Sequence, residues 1–210
     1  GNLTAGRMYL AATGNANFGY IGGGGQPTRV STVDRIGYAN DLGTASPKGG
    51  LTVARDELAA TGNADFGYFG GGRIPAPSQV STVDRKDYSN DTATASPKGP
   101  LNQTKRLLAA TGNADFGYFG AGLPSVSTVS RIDYSSDTGT APTKGPLSGT
   151  RYWLAATGNS NFGYFGGGGP GGPHSTVDRI DYSNDTATAL VRGPLSRTTR
   201  TLAATGNSSF

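Results

Sequence analysis

The residue types that could do chemistry in this chain are few. The only Trp, Trp153, directly follows Arg151 and Tyr152; the only His is His174; and there is no Cys. An aromatic pair beside a guanidinium can stack on a sugar or anchor a protein partner. Arg151, Tyr152, Trp153 and His174 are therefore the first candidate binding residues, the alternative for Trp153 being that it fills space beside an inner strand. Arg29 and Arg73 are further candidates, as anion ligands or as solvated charges. Without Cys there is no disulfide, thiolate metal site or Cys nucleophile. One His has no second His or Cys with which to hold a metal, and it would serve a Ser, His and acid triad poorly. No metal or other cofactor is expected, and the chain does not read as an enzyme. The pairs Asp34–Arg35, Asp84–Arg85 and Asp178–Arg179 offer carboxylates, but they return in unit after unit, with Ser130 once in the place of the Asp. Such recurrence argues for a structural bridge within or between units. The DYSNDT runs lack the alternating ligands and distal Glu of a calcium loop, and read as turn caps.

The elements that must position these residues are set by a repeat. The segment AATGNxxFGY occurs four times and AATGNxxF a fifth, anchored at Asn15, Asn63, Asn113, Asn159 and Asn207, with spacings of 48, 50, 46 and 48 residues. A unit of that length holds about four short strands. In the second unit, ELAATG, ADFGYFGGG, STVDRKDY and TATASP read as strands, and TGNADF and YSNDTA as tight turns. No segment has a 3.6-residue apolar period over helical length, so essentially no helix is expected. Only 34% of residues are hydrophobic and 35 are Gly, so the core must be thin. The first strand is small, the second and third carry Phe, Tyr, Val and Ile, as wedge-shaped units around an axis require. The GGG run lets neighbouring backbones approach.

Eighteen Lys and Arg against fourteen Asp and Glu give a formal charge of +4, spread through every unit without a basic run. That pattern suits a solvated surface and not nucleic acid. No apolar run approaches the roughly 20 residues of a membrane span. The loops after the second strands are GGGGQPTRV, GGGRIPAPSQV, GAGLPSV and GGGGPGGPH, and their lengths of 9, 11, 7 and 9 account for all the variation in period. Strand parity puts these loops on one face with the connections between units, opposite a constant face of TGNxxF and YxNDT turns. Variable loops on a constant frame read either as a binding surface or as drift at tolerant positions.

The order FGYFGGG, a variable loop, VSTVDRxDYxNDT, then KGPLxxxR and LAAT resembles the kelch motif. Arg7, Arg55 and Arg151 stand three residues before Leu10, Leu58 and Leu154 as the kelch arginine does, with Lys105 and Thr199 replacing it before Leu108 and Leu202. The kelch Trp of the outer strand is absent. The resemblance implies an all-β, kelch-like β-propeller of four-stranded antiparallel blades over residues 1–210. Its repeats run approximately 3–50, 51–100, 101–146 and 147–194, with 195–210 a surplus first strand. Repeats this alike are most similar to the kelch-like repeats of structural proteins of marine cyanobacterial phages. That likeness implies a non-enzymatic structural and binding module of a virion or tail appendage, in a virion or extracellular setting. Its partners would be a protein or glycan on a cell surface, or other virion proteins. An intracellular kelch-type adaptor is the alternative, and a propeller enzyme ranks last. The chain opens without Met and stops at the Phe that elsewhere begins FGYFGGG. A stretch of a longer array is thus expected ahead of a self-contained four-bladed ring, with an unpaired edge open to homo-oligomer formation.

Overall fold

The computed structural model describes residues 1–25, 27–75 and 78–205. The chain is all-β, built as four antiparallel four-stranded sheets whose strands follow one another in chain order. The first sheet holds β1 (Ala11–Gly14), β2 (Phe18–Gly22), β3 (Val33–Gly37) and β4 (Ser46–Lys48). The second holds β5 (Ala59–Gly62) and β6 (Phe66–Gly70), then a small hairpin of β7 (Arg73–Ile74) and β8 (Ser78–Gln79), then β9 (Val83–Asp87) and β10 (Ser96–Lys98). The third is β11 (Ala109–Gly112), β12 (Phe116–Gly120), β13 (Val129–Asp133) and β14 (Thr143–Lys144). The fourth is β15 (Ala155–Gly158), β16 (Phe162–Gly166), β17 (Val177–Asp181) and β18 (Leu190–Arg192). A 3-10 turn at Tyr182–Asn184 is the one helical element among the described residues.

Each hairpin between first and second strands is closed by its Asn. Asn63 Oδ1 accepts from the backbone N–H of Asp65 and Phe66 at 3.0 and 2.9 Å, and Asn15, Asn113 and Asn159 do the same in their own turns. The fourth strand differs from the sequence expectation. Of the TATASP stretch, Thr92 to Ala95 form no strand, and in the first two sheets the strand is the SPK that begins at its last two residues. Pro97 can sit there, opposite Asp84, because this strand is the outermost and its free side needs no donor.

The first strands lie side by side, β1 against β5, β5 against β11 and β11 against β15. All four, with Ala204 and Thr205, border one cavity of about 200 Å³. Residues 195–205 thus reach the place of a fifth first strand, but they form no strand among the described residues. Asn207 and the rest of the surplus copy lie outside the described residues, as do Gln26, Ala76 and Pro77 of the variable loops.

The core sits between neighbouring sheets. Tyr20, Leu58 and Phe69 join the first to the second, Tyr68, Leu108 and Phe119 the second to the third, and Tyr118, Leu154 and Phe165 the third to the fourth. Glycine makes the approach possible: a Cβ on Gly22, Gly70 or Gly120 would fall 2.7 Å from the ring of the next sheet's Phe69, Phe119 or Phe165.

The repeated Asp and Arg of the third strands do divide into within-sheet and between-sheet bridges. Asp34, Asp84 and Asp178 are completely buried and pair with Arg7, Arg55 and Arg151 on the segment leading into the same sheet. In the third unit Lys105 faces Ser130 at 3.3 Å, and Ser130 donates to Asn102. The neighbouring Arg35, Arg85 and Arg131 instead cross to Asp91, Asp137 and Asp185 of the next sheet at 2.7, 2.8 and 2.8 Å. The first Asp of the DYSNDT run caps its turn as expected, Asp87 Oδ1 accepting from the Ser89 N–H and hydroxyl. The second, Asp91 and its equivalents, is a clamp between sheets.

Candidate binding face

On the face opposite the TGNxxF turns, the segments entering the first strands are bridged to the variable loops: Met8 to Gly25, Asp56 to Arg73, Arg106 to Leu123 and Tyr152 to Gly169. The next residue in these four segments is Tyr9, Glu57, Leu107 or Trp153, and Thr201 is its equivalent in the last; every one is left-handed, with φ of 59, 58, 55, 59 and 58°. Side chains with a Cβ resist this region by about 1 to 2 kcal/mol each. The strain is held by a relay of backbone hydrogen bonds. Thr201 N–H donates to Trp153 O, Trp153 to Leu107, Leu107 to Glu57 and Glu57 to Tyr9, at 2.8 to 3.0 Å. These five residues thus stand in sequence around one depression of about 290 Å³, floored by Leu10, Leu58, Leu108, Leu154 and Leu202.

The rim is chemically uneven. Tyr152 meets Trp153 edge-on, with ring centroids 5.0 Å apart at 63°, and the Arg200 guanidinium lies 5.1 Å from the Trp153 ring centroid. Tyr9 is 44% exposed. Between these apolar parts lies a charged quadrant. Arg29 and Arg73 both bind Asp56, at 2.9 and 3.1 Å, and Glu57 pairs with Arg73 and Arg106 at 3.1 and 2.6 Å. Burial pushes the Asp56 carboxyl up, but the hydrogen bonds and charges of Arg73 and Arg29 outweigh it and hold the group below the usual range.

Of the residues singled out by sequence, Trp153 lines this depression and Tyr152 packs against the Trp153 ring beside it, on the variable face as strand parity requires. Arg151 does not join them. It is 3% exposed, donates to the carbonyls of Gly167 and Thr176 and pairs with Asp178, so its guanidinium is an internal strut. Arg29 and Arg73 are joined to each other through Asp56 and are not free anion ligands. His174 lies on the same side, held by backbone bonds to Gly168 and Thr199, with Nε2 3.1 Å from Pro170 O. Among the described residues no group of three or more His, Asp or Glu is placed to hold a metal ion.

Four residues of the site, Tyr9, Glu57, Leu107 and Thr201, were not distinguished by sequence reasoning. Their signal was present, since the position before the constant Leu-Ala-Ala holds a different residue in each of five units. The chain matches no protein-family model and no curated protein sequence.

Proposed function

We propose that the chain is a section of a kelch-like β-propeller that acts as a non-enzymatic binding and structural module, taking a protein or glycan partner in the depression around Trp153. One observation carries the reading. Five successive units keep the same strained backbone at one position and place there Tyr, Glu, Leu, Trp and Thr, while the surrounding frame hardly changes. The backbone relay holds the strain, and strained positions held in this way cluster at binding and active sites. The mixture of aromatic, apolar and guanidinium groups suits a partner with both flat apolar and polar surface. The propeller reading rests on the side-by-side first strands that share one cavity and on the kelch-like order of residues. The setting, a virion or tail appendage attaching to a host surface, rests on the sequence resemblance alone.

The test replaces Tyr9 and Trp153 by Gly together. Glycine relieves two left-handed residues, so the melting temperature should not fall by more than a degree or two, while binding to a glycan array or surface-protein panel should weaken at least tenfold, about 1.4 kcal/mol. Binding that survives this change but is abolished by substitutions in the TGNxxF turns would place the partner on the opposite face.

A further inference from the structure

A sugar ring carries a hydroxyl on most of its carbons, and each hydroxyl buried on binding must find a hydrogen-bond partner or weaken the complex. The acceptors around the depression are already engaged. At the connector that enters the second sheet, Asp56 Oδ1 and Oδ2 accept from Arg29 and Arg73 at 2.9 and 3.1 Å, and Glu57 Oε1 and Oε2 face Arg73 and Arg106 at 3.1 and 2.6 Å. The two carboxylate side chains are only 8 and 7% exposed. The main-chain carbonyls of Tyr9, Glu57, Leu107 and Trp153 each accept from the next member of the backbone relay.

Donors, by contrast, are in excess. Three guanidinium groups serve two carboxylates, so this quadrant carries one net positive charge. Arg29 and Arg73 are fixed on Asp56, but among the described residues the Arg106 side chain is bonded through a single terminal nitrogen and is 27% exposed. It stands directly before Leu107, whose side chain lines the depression with Leu58, Leu108 and Trp153. The volume of about 290 Å³ lies at the bottom of the range for small-molecule pockets, roughly 300 to 1,000 Å³, and so suits one or two side chains and not a row of sugar rings. The opposite face has the other sign. Its TGNxxF and DYxNDT turns are joined, Tyr88 N–H donating to Asp65 O at 3.0 Å, and they hold Asp65, Asp87, Asp115, Asp133 and Asp181 with neither Lys nor Arg. An acidic partner is thereby steered to the variable face.

Taking the depression around Trp153 as the binding site, we infer that its partner is a protein segment in which an apolar residue, Leu, Phe or Met, stands next to Asp or Glu. The apolar side chain enters over Leu58, Leu108 and Trp153 and supplies most of the affinity. The neighbouring carboxylate meets the remaining N–H groups of Arg106, and this charge-assisted contact sets which segments are accepted. Arg73 keeps Glu57 paired throughout, so Arg106 is the one guanidinium of the quadrant that can turn to a partner without leaving a buried carboxylate alone.

The 210-residue chain can be immobilised through one cysteine introduced as Ala16→Cys on the opposite face, which leaves the depression free. Selection from a phage-displayed library of random peptides should then enrich Leu, Phe or Met within one position of Asp or Glu. The best Trp-free peptide, added to the native chain, should shift the emission of Trp153, the only Trp. By fluorescence anisotropy Arg106→Gln should weaken that peptide at least tenfold, but weaken its amide counterpart, with Asn for Asp or Gln for Glu, less than twofold. A variant that merely loosened the fold would weaken both alike. A library that yields no binder, selected peptides without an acid beside the apolar residue, or equal losses for the two peptides would overturn the inference. A sialylated or sulfated glycan that shifts the Trp153 emission, and is lost in Tyr9→Gly/Trp153→Gly, would overturn it while leaving the depression as the binding site. Peptides that bind Tyr9→Gly/Trp153→Gly as tightly as the native chain would overturn both.

Discussion

Lys105 is completely buried, with its ammonium near the carbonyls of Phe119 and Thr128 and the hydroxyl of Ser130, and no carboxylate beside it. Burial pushes its pKa down to about 7. An unfolded lysine keeps its proton to about 10.4, so between about pH 7 and 10 the unfolded chain binds more protons and stability rises with pH, by up to about 1 kcal/mol per unit. Above about pH 10 the sign reverses, because burial and the Asp91 carboxylate push the Tyr20 hydroxyl up to about 12 while an unfolded tyrosine ionises near 10. Urea denaturation should thus place the stability maximum near pH 10, and Ser130→Asp, which gives Lys105 a carboxylate, should flatten the rise; a native profile already flat from pH 7 to 10 would contradict this. Sequence alone showed that Lys105 and Ser130 depart from the repeat, but not that they face each other. It likewise marked Trp153 for its rarity and missed Glu57, Leu107 and Thr201, whose types are ordinary and whose distinction is a shared backbone angle. Arg151 was read outward with its aromatic neighbours, although its alignment with Arg7 and Arg55 already pointed to a common internal role.

At the level of strands and connectors, the units use two versions of one buried lock. The first, second and fourth have Thr or Ser, Arg and Asp; the third has Asn102, Lys105 and Ser130. In the second unit the Thr52 N–H and hydroxyl and Arg55 converge on Asp84. Asp84→Ser alone leaves a buried guanidinium unpaired and should cost about 3 to 5 kcal/mol by chemical denaturation. Thr52→Asn/Arg55→Lys/Asp84→Ser, which moves the third unit's lock into the second, should recover at least half of that loss. If the triple variant is as unstable as the single one, the two locks are not interchangeable and the third unit depends on some further feature. Most strands were legible because alternating Val, Phe and Tyr and the Gly-Asn turns of TGNxxF act locally. The fourth was misplaced because β-propensity favoured TATAS, while the strand that forms, SPK, is tolerated by its edge position and held through Lys98 to Asp137 of the next sheet. That is a long-range cause which no local pattern carries.

For the whole molecule, the 46 to 50 residue period made four-stranded units predictable, and the small first strand made their side-by-side packing predictable. The number of units that the proposed propeller would place around its axis was not, because it depends on the wedge angle between sheets, which no local residue pattern sets. The absence of Cys allows this to be measured by pairs of introduced, spin-labelled cysteines. Ala16, Ala64, Ala114 and Ser160 are exposed at the equivalent turn of each sheet. The distances 16 to 64, 64 to 114 and 114 to 160 should be nearly equal, since the junctions are alike. The ratio of the 16 to 160 distance to one such step is about 1 for four positions around an axis, about 2 for six and about 2.4 for eight, against about 3 for a straight stack. The proposed propeller, with its sheets arranged radially around the shared cavity, predicts a ratio below about 2.5 by double electron–electron resonance, and a ratio near 3 would contradict it.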